Sequence, residues 1–188
     1  MDWGSSNGYG IDNRAEGLNA LAPRHAISDS YGKDVMVLNF GSSVVLSSFQ
    51  VGWAGISNGY DSDVSLWRYT GSAAPSIAGN TAAGMVSAGW SLVTNAADVT
   101  SSGVVSSGLA ATSANASSWW LVTSYGTLGT ATTSGSLSAG NNAFKLLSFA
   151  TTSVPQGGTK VPEPASLALL AVAGFGALAA TRRNRKQA

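Results

Sequence analysis

Residues 165–180 carry no charged side chain, and Ser166 is the only strongly polar residue among them. No other feature constrains the chain as much, because it divides the sequence into a long body and a short tail. Sixteen helical residues span roughly 24 Å at about 1.5 Å each, against a bilayer core of about 30 Å. The run is short for a span, but flanking Lys and Arg stems can reach the interface. Pro164 suits the first turn of a helix, where its missing N–H costs nothing. Arg182, Arg183, Arg185 and Lys186 follow the run and belong on the cytoplasmic side. The pattern predicts a transmembrane helix over 165–180 with the C-terminus inside and the body outside. A buried core helix is the other reading of an apolar run of this length.

Charge sharpens the division. The tail from Val161 holds four cations and one anion, net +3, whereas the body holds six cations and eight anions, net −2. Charged residues make up 10% of the chain, against about 25% in ordinary soluble domains. A weakly acidic body without a basic stripe argues against a nucleic-acid partner. The chain has no cysteine, which excludes thiol catalysis, Cys-ligated zinc and iron–sulfur clusters. The start, Met1-Asp2-Trp3-Gly4-Ser5-Ser6, has neither the basic nor the apolar region of a signal peptide. An exported body needs one, so the expectation is a signal peptide upstream of this start. A cytoplasmic body is the alternative.

Val161-Pro162-Glu163-Pro164 stands directly before the apolar run. Two prolines hold this segment extended and keep the helix from starting earlier. Motif, apolar run and basic cluster, in that order, resemble the PEP-CTERM signal recognised by exosortases. The resemblance implies an exosortase-type processing enzyme as partner, with Pro162, Glu163 and Pro164 as sorting residues. It also implies passage through the inner membrane to the cell surface or beyond, and exopolysaccharide as a candidate associate.

The body reads as short strands separated by turn residues. Val35–Phe40 and Val44–Trp53 are β-rich, and Gly41-Ser42-Ser43 between them suits a hairpin. Asp63–Tyr69, Trp90–Thr94, Ser118–Tyr125 and Ala143–Ala150 are further candidates. No segment before residue 160 sustains a helical period, so helix is expected only in the tail. The fold class that follows is mainly β, an antiparallel β-sandwich or jelly-roll-like domain over 1–150. Residues 151–160 read as a flexible linker, and 161–188 as the sorting signal.

Within the body, Glu16, Pro23-Arg24-His25-Ala26-Ile27, Asp34–Phe40, Val51-Gly52-Trp53 and Asp61-Ser62-Asp63-Val64-Ser65 resemble a family of exosortase-dependent surface proteins over roughly residues 16–70. Ser28-Asp29 departs from the Asp-Asn that family tends to carry. The resemblance implies surface display and no catalytic residues.

Four further patterns bear on chemistry. Gly4-Ser5-Ser6-Asn7-Gly8 fits G-x-S-x-G but lacks the strand and helix of a nucleophile elbow, so no enzyme is expected. His25 is the sole histidine and reads as structural, with Arg24 or Asp29 to orient it. Asp61 and Asp63 offer the oxygen ligands Ca²⁺ prefers, with Asp29 and Asp34 able to join, although the alternative is a solvated turn. Trp119 and Trp120 must point to opposite faces of a strand, so one of them is a candidate to stack on a sugar. The function expected is a structural or adhesive surface protein. The alternative is a carbohydrate- or calcium-binding module with the same address.

Overall fold

The computed structural model describes residues 7–13, 25–77, 79 and 81–154. The chain divides into two compact units, Met1–Val154 and Pro155–Ala188. The predicted linker from residue 155, the sorting residues Pro162, Glu163 and Pro164, the apolar run and its basic block lie outside the described residues. Among the described residues, no helix is long and apolar enough to cross a membrane.

The elements in chain order are β1 (Ile27–Ser28), β2 (Val35–Ala54), β3 (Val64–Tyr69), α1 (Ala82–Ser87), β4 (Trp90–Ala96), β5 (Val104–Ser106), β6 (Ser117–Ser124) and β7 (Ala143–Ser153). The seven strands form one antiparallel sheet, ordered β1-β7-β2-β6-β3-β4, with β5 also on β2. The prediction of a mainly β, antiparallel body therefore holds.

The predicted hairpin at Gly41-Ser42-Ser43 does not form. β2 is one strand of 20 residues, because its two halves pair with different neighbours and not with each other. Val35–Val44 run along β6, and Val44–Ala54 run along β7. From Asn39 to Val44 β2 advances five residues while β6 advances only two, from Trp119 to Ser117. The surplus bulges out and bends the strand. Gly41 takes the left-handed conformation this requires, at φ 69°, and its N–H donates to Asn39 Oδ1 at 2.9 Å. A straight strand would hold Phe40 and Phe49 roughly 30 Å apart. Phe149 pairs with Phe49, yet its ring lies 5.3 Å from that of Phe40. The sheet is thus folded over at this corner.

Folding over creates the core. One buried cluster unites Ile27 of β1, Phe49 and Val51 of β2, Leu66 of β3, Trp120 and Val122 of β6, and Phe144 of β7. β1 and β3 have three strands between them in the sheet order, yet both feed this cluster, as a doubled sheet allows. A second cluster, Trp67, Tyr69, Met85, Trp90 and Leu121, covers the other face of β3 and β6. Apolar side chains on both faces explain why β6 reads Trp-Trp-Leu-Val without alternation.

The expectation that helix is confined to the tail is corrected here. α1 supplies Met85 to the second cluster. Its N-cap Thr81 accepts from the Gly84 N–H at 3.1 Å. Six residues containing a glycine are too few to display a helical period. β7 also runs three residues into the stretch read as linker, ending at Ser153.

Candidate functional site

The carboxylates converge on one loop. Asp61 and Asp63 enter β3, and Asp98 follows β4; carboxylate oxygens from the three lie within 4.8 Å of one another. Such hard oxygen donors are of the kind Ca²⁺ takes. Nothing local in the sequence ties Asp98 to a pair 35 positions away.

Each carboxylate already has protein partners. Asp61 accepts from the Ser62 N–H at 2.7 Å and the Ser138 hydroxyl at 2.7 Å. Asp63 accepts from the Asp98 N–H at 2.9 Å and from the Ser138 N–H. Asp98 accepts from the Ser136 N–H at 3.1 Å. Gly135 crosses so close that a Cβ there would lie 2.2 Å from Asp98 Oδ2. The cluster therefore anchors the 135–142 segment to the entrance of β3.

Asp29 and Asp34 do not join it. Asp29 accepts from the N–H groups of Gly140 (2.9 Å) and Asn142 (2.8 Å) and stands 3.7 Å from Lys33 Nζ. Asp34 accepts from the Ser28 N–H at 3.1 Å and Asn13 Nδ2 at 3.3 Å. Asn142 links the two regions. Its Oδ1 accepts from the Asp63 N–H at 2.7 Å, and its Nδ2 donates to Asp29 Oδ2 at 3.1 Å and to Ser138 O at 2.8 Å.

Burial pushes the Asp63 carboxyl above the ordinary carboxylate range; hydrogen bonds from Ser138 and Asp98 oppose this, and the Asp61 and Asp98 charges add to it. Burial likewise raises Asp34, against hydrogen bonds from Ser28 and Asn13. A carboxyl raised in the fold binds its proton before the unfolded chain does. Its contribution to stability therefore grows as pH falls from above the raised pKa towards about 3.9. The urea midpoint of the body should rise on mild acidification from neutrality, with a shallower rise in Asp63→Asn. A flat profile in the parent chain would contradict this.

The tryptophans divide as the strand requires. Trp120 is fully buried and donates from Nε1 to Ser117 O at 3.0 Å. It is core, not a ligand platform. Trp119 is half-buried against the second cluster and borders a groove of about 340 Å³ with Ser43, Tyr69, Thr70, Ser72 and Ser118. A second hollow of about 280 Å³ lies between Val35, Trp67, Ile77, Met85 and Leu121. Lys33 stands beside it, but its ammonium already donates to Ser124 O, Ser124 Oγ and Tyr125 O. Burial holds that ammonium below its ordinary pKa, with Asp29 opposing.

His25 Nδ1 faces Asp12 Oδ2 at 3.8 Å. The expected partner Asp29 is occupied elsewhere, and Arg24 lies outside the described residues, as does most of the Gly4–Gly8 pattern.

A family model described as the PEP-CTERM protein-sorting motif matches residues 160–186. The chain thus carries that motif, which implies processing by an exosortase-type enzyme and passage through the membrane to the cell surface or extracellular space. No curated protein and no solved structure gives a significant match.

Proposed function

We propose that this chain is a structural or adhesive protein of the cell surface or extracellular matrix, delivered by exosortase processing and itself without catalytic activity. The observation that carries the reading is the order of motif, apolar run and basic block within the matched residues 160–186. In this reading residues 165–180 span the inner membrane during sorting, with Arg182, Arg183, Arg185 and Lys186 in the cytoplasm. The extended Pro162-Glu163-Pro164 segment is presented at the bilayer surface for cutting. Cutting there separates a body of net −2 from an anchor of net +3. The two arms of the folded sheet are read as the layers of an antiparallel sandwich, a low-charge scaffold suited to display. One cluster fed by both arms supports that view.

Intact mass tests the sorting step. In a host with an exosortase, the mature protein should lack the C-terminal basic block. Glu163→Gln should retain the block while the body stays folded. A mature parent chain that keeps Arg182–Lys186 would replace this reading with a permanent single-pass anchor.

A further inference from the structure

The geometry points to the groove beside Trp119 as a binding site for a neutral saccharide chain. This deepens the adhesive reading and rests on it for the ligand's setting, but its chemistry stands on the groove itself. The groove forms where β3 ends, at Tyr69 and Thr70, beside the start of β6 and the corner of β2 at Ser43. Its volume of about 340 Å³ lies at the lower end of the roughly 300–1,000 Å³ usual for small-ligand pockets.

The lining is selective. No acidic or basic side chain borders it, so a phosphorylated or carboxylated ligand would find no counter-charge. Most of the side chains around it are hydroxylic or aromatic. Hydroxyls both donate and accept, which suits a polyol with many O–H groups in varied directions. Thr70 Oγ1 and Ser117 Oγ are engaged internally, with Gly89 O at 2.9 Å and Tyr69 O at 2.8 Å. These bonds stiffen the floor. The hydroxyls of Ser43, Ser72 and Ser118 have no such internal bond among the described residues, and Ser43 and Ser72 are exposed.

Trp119 supplies the remaining element. A sugar ring has an apolar C–H face, and a rigid aromatic surface complements it with little entropy to lose. The Trp119 backbone is held on both sides by one hydroxyl: its N–H donates to Ser117 Oγ at 3.0 Å, and its carbonyl accepts from Ser117 Oγ at 2.9 Å. The indole is thus anchored on the second cluster while bordering an uncharged, hydroxylated groove. An open groove fits a chain better than a single residue.

The test is calorimetric titration of the full chain, in zwitterionic micelles free of sugar headgroups, with cellohexaose, maltohexaose and mannohexaose. At least one should bind, and Trp119→Ala should weaken it tenfold or more while Trp119→Phe keeps most of the affinity. Thermal unfolding of both variants shows whether the fold survives, and Trp119→Phe carries the test if the alanine variant does not fold. Polygalacturonate should bind no better than the neutral chains. Absence of binding to all three neutral chains, or equal binding by parent and Trp119→Ala, would overturn the assignment. Either result leaves the processing experiment untouched, and a failure of processing leaves this titration interpretable.

Discussion

Trp120→Ala should destabilise the body by about 4 kcal/mol, measured as a fall in the urea midpoint followed by far-ultraviolet circular dichroism. The indole is fully buried in the cluster shared by both arms of the sheet. Truncation leaves a cavity that the surrounding strands cannot close, since each is held by ladder bonds on its own arm. It also strips the carbonyl of the buried Ser117 of the Nε1–H donor at 3.0 Å. The adjacent Trp119→Ala should cost far less, about 1–2 kcal/mol, because that ring is already half-solvated. Equal losses at the two positions would mean that the core does not lie where the fold places it.

Asn142→Asp should cost about 3–5 kcal/mol at neutral pH. The side chain is fully buried and uses both ends. The new carboxylate keeps the acceptor for the Asp63 N–H but replaces the donor that faces Asp29 Oδ2 and Ser138 O. Two oxygens then meet a third, and a charge is added beside Asp29 and Asp63. Burial and these like charges raise the pKa of the new group, so the defect should shrink as pH falls and the protonated form donates again. A variant as stable as the parent at pH 7 would show that Asn142 does not join the 135–142 segment to β3.

Asn142 also marks a limit of reading by sequence. Asp61 and Asp63 were legible as a pair because two positions separate them. Asp98, Ser138 and Asn142 complete the same network from 35 to 79 positions away. No spacing rule connects them, and a carboxylate that anchors a loop has the same local signature as one that awaits a cation. The distinction lies in which N–H groups reach the oxygens, and tertiary packing alone sets that. Trp119 and Trp120 show the converse. Adjacency in a strand placed them on opposite faces in advance, but not which face would be closed.

The corner in β2 has a similar origin. Gly41-Ser42-Ser43 is turn chemistry, and locally a hairpin and a bulge make the same demand for a left-handed residue. Whether the chain reverses or continues depends on which strands stand beside each half. Those are β6 and β7, which begin 117 and 143 residues into the chain.

The sequence by itself determined the address, because a sorting signal is a linear order of extended motif, apolar run and cations, and each part acts through its own local chemistry. It also determined the strand-rich body, because β-branched and aromatic runs between glycine and serine turns are local preferences too. Only the tertiary structure decided that the sheet folds over at Gly41, that α1 covers its outer face and that the acidic residues anchor a loop. It alone also left Trp119 beside an uncharged groove. These outcomes depend on contacts between residues distant in the chain, where burial and hydrogen-bond partners are shared and no short segment carries the information.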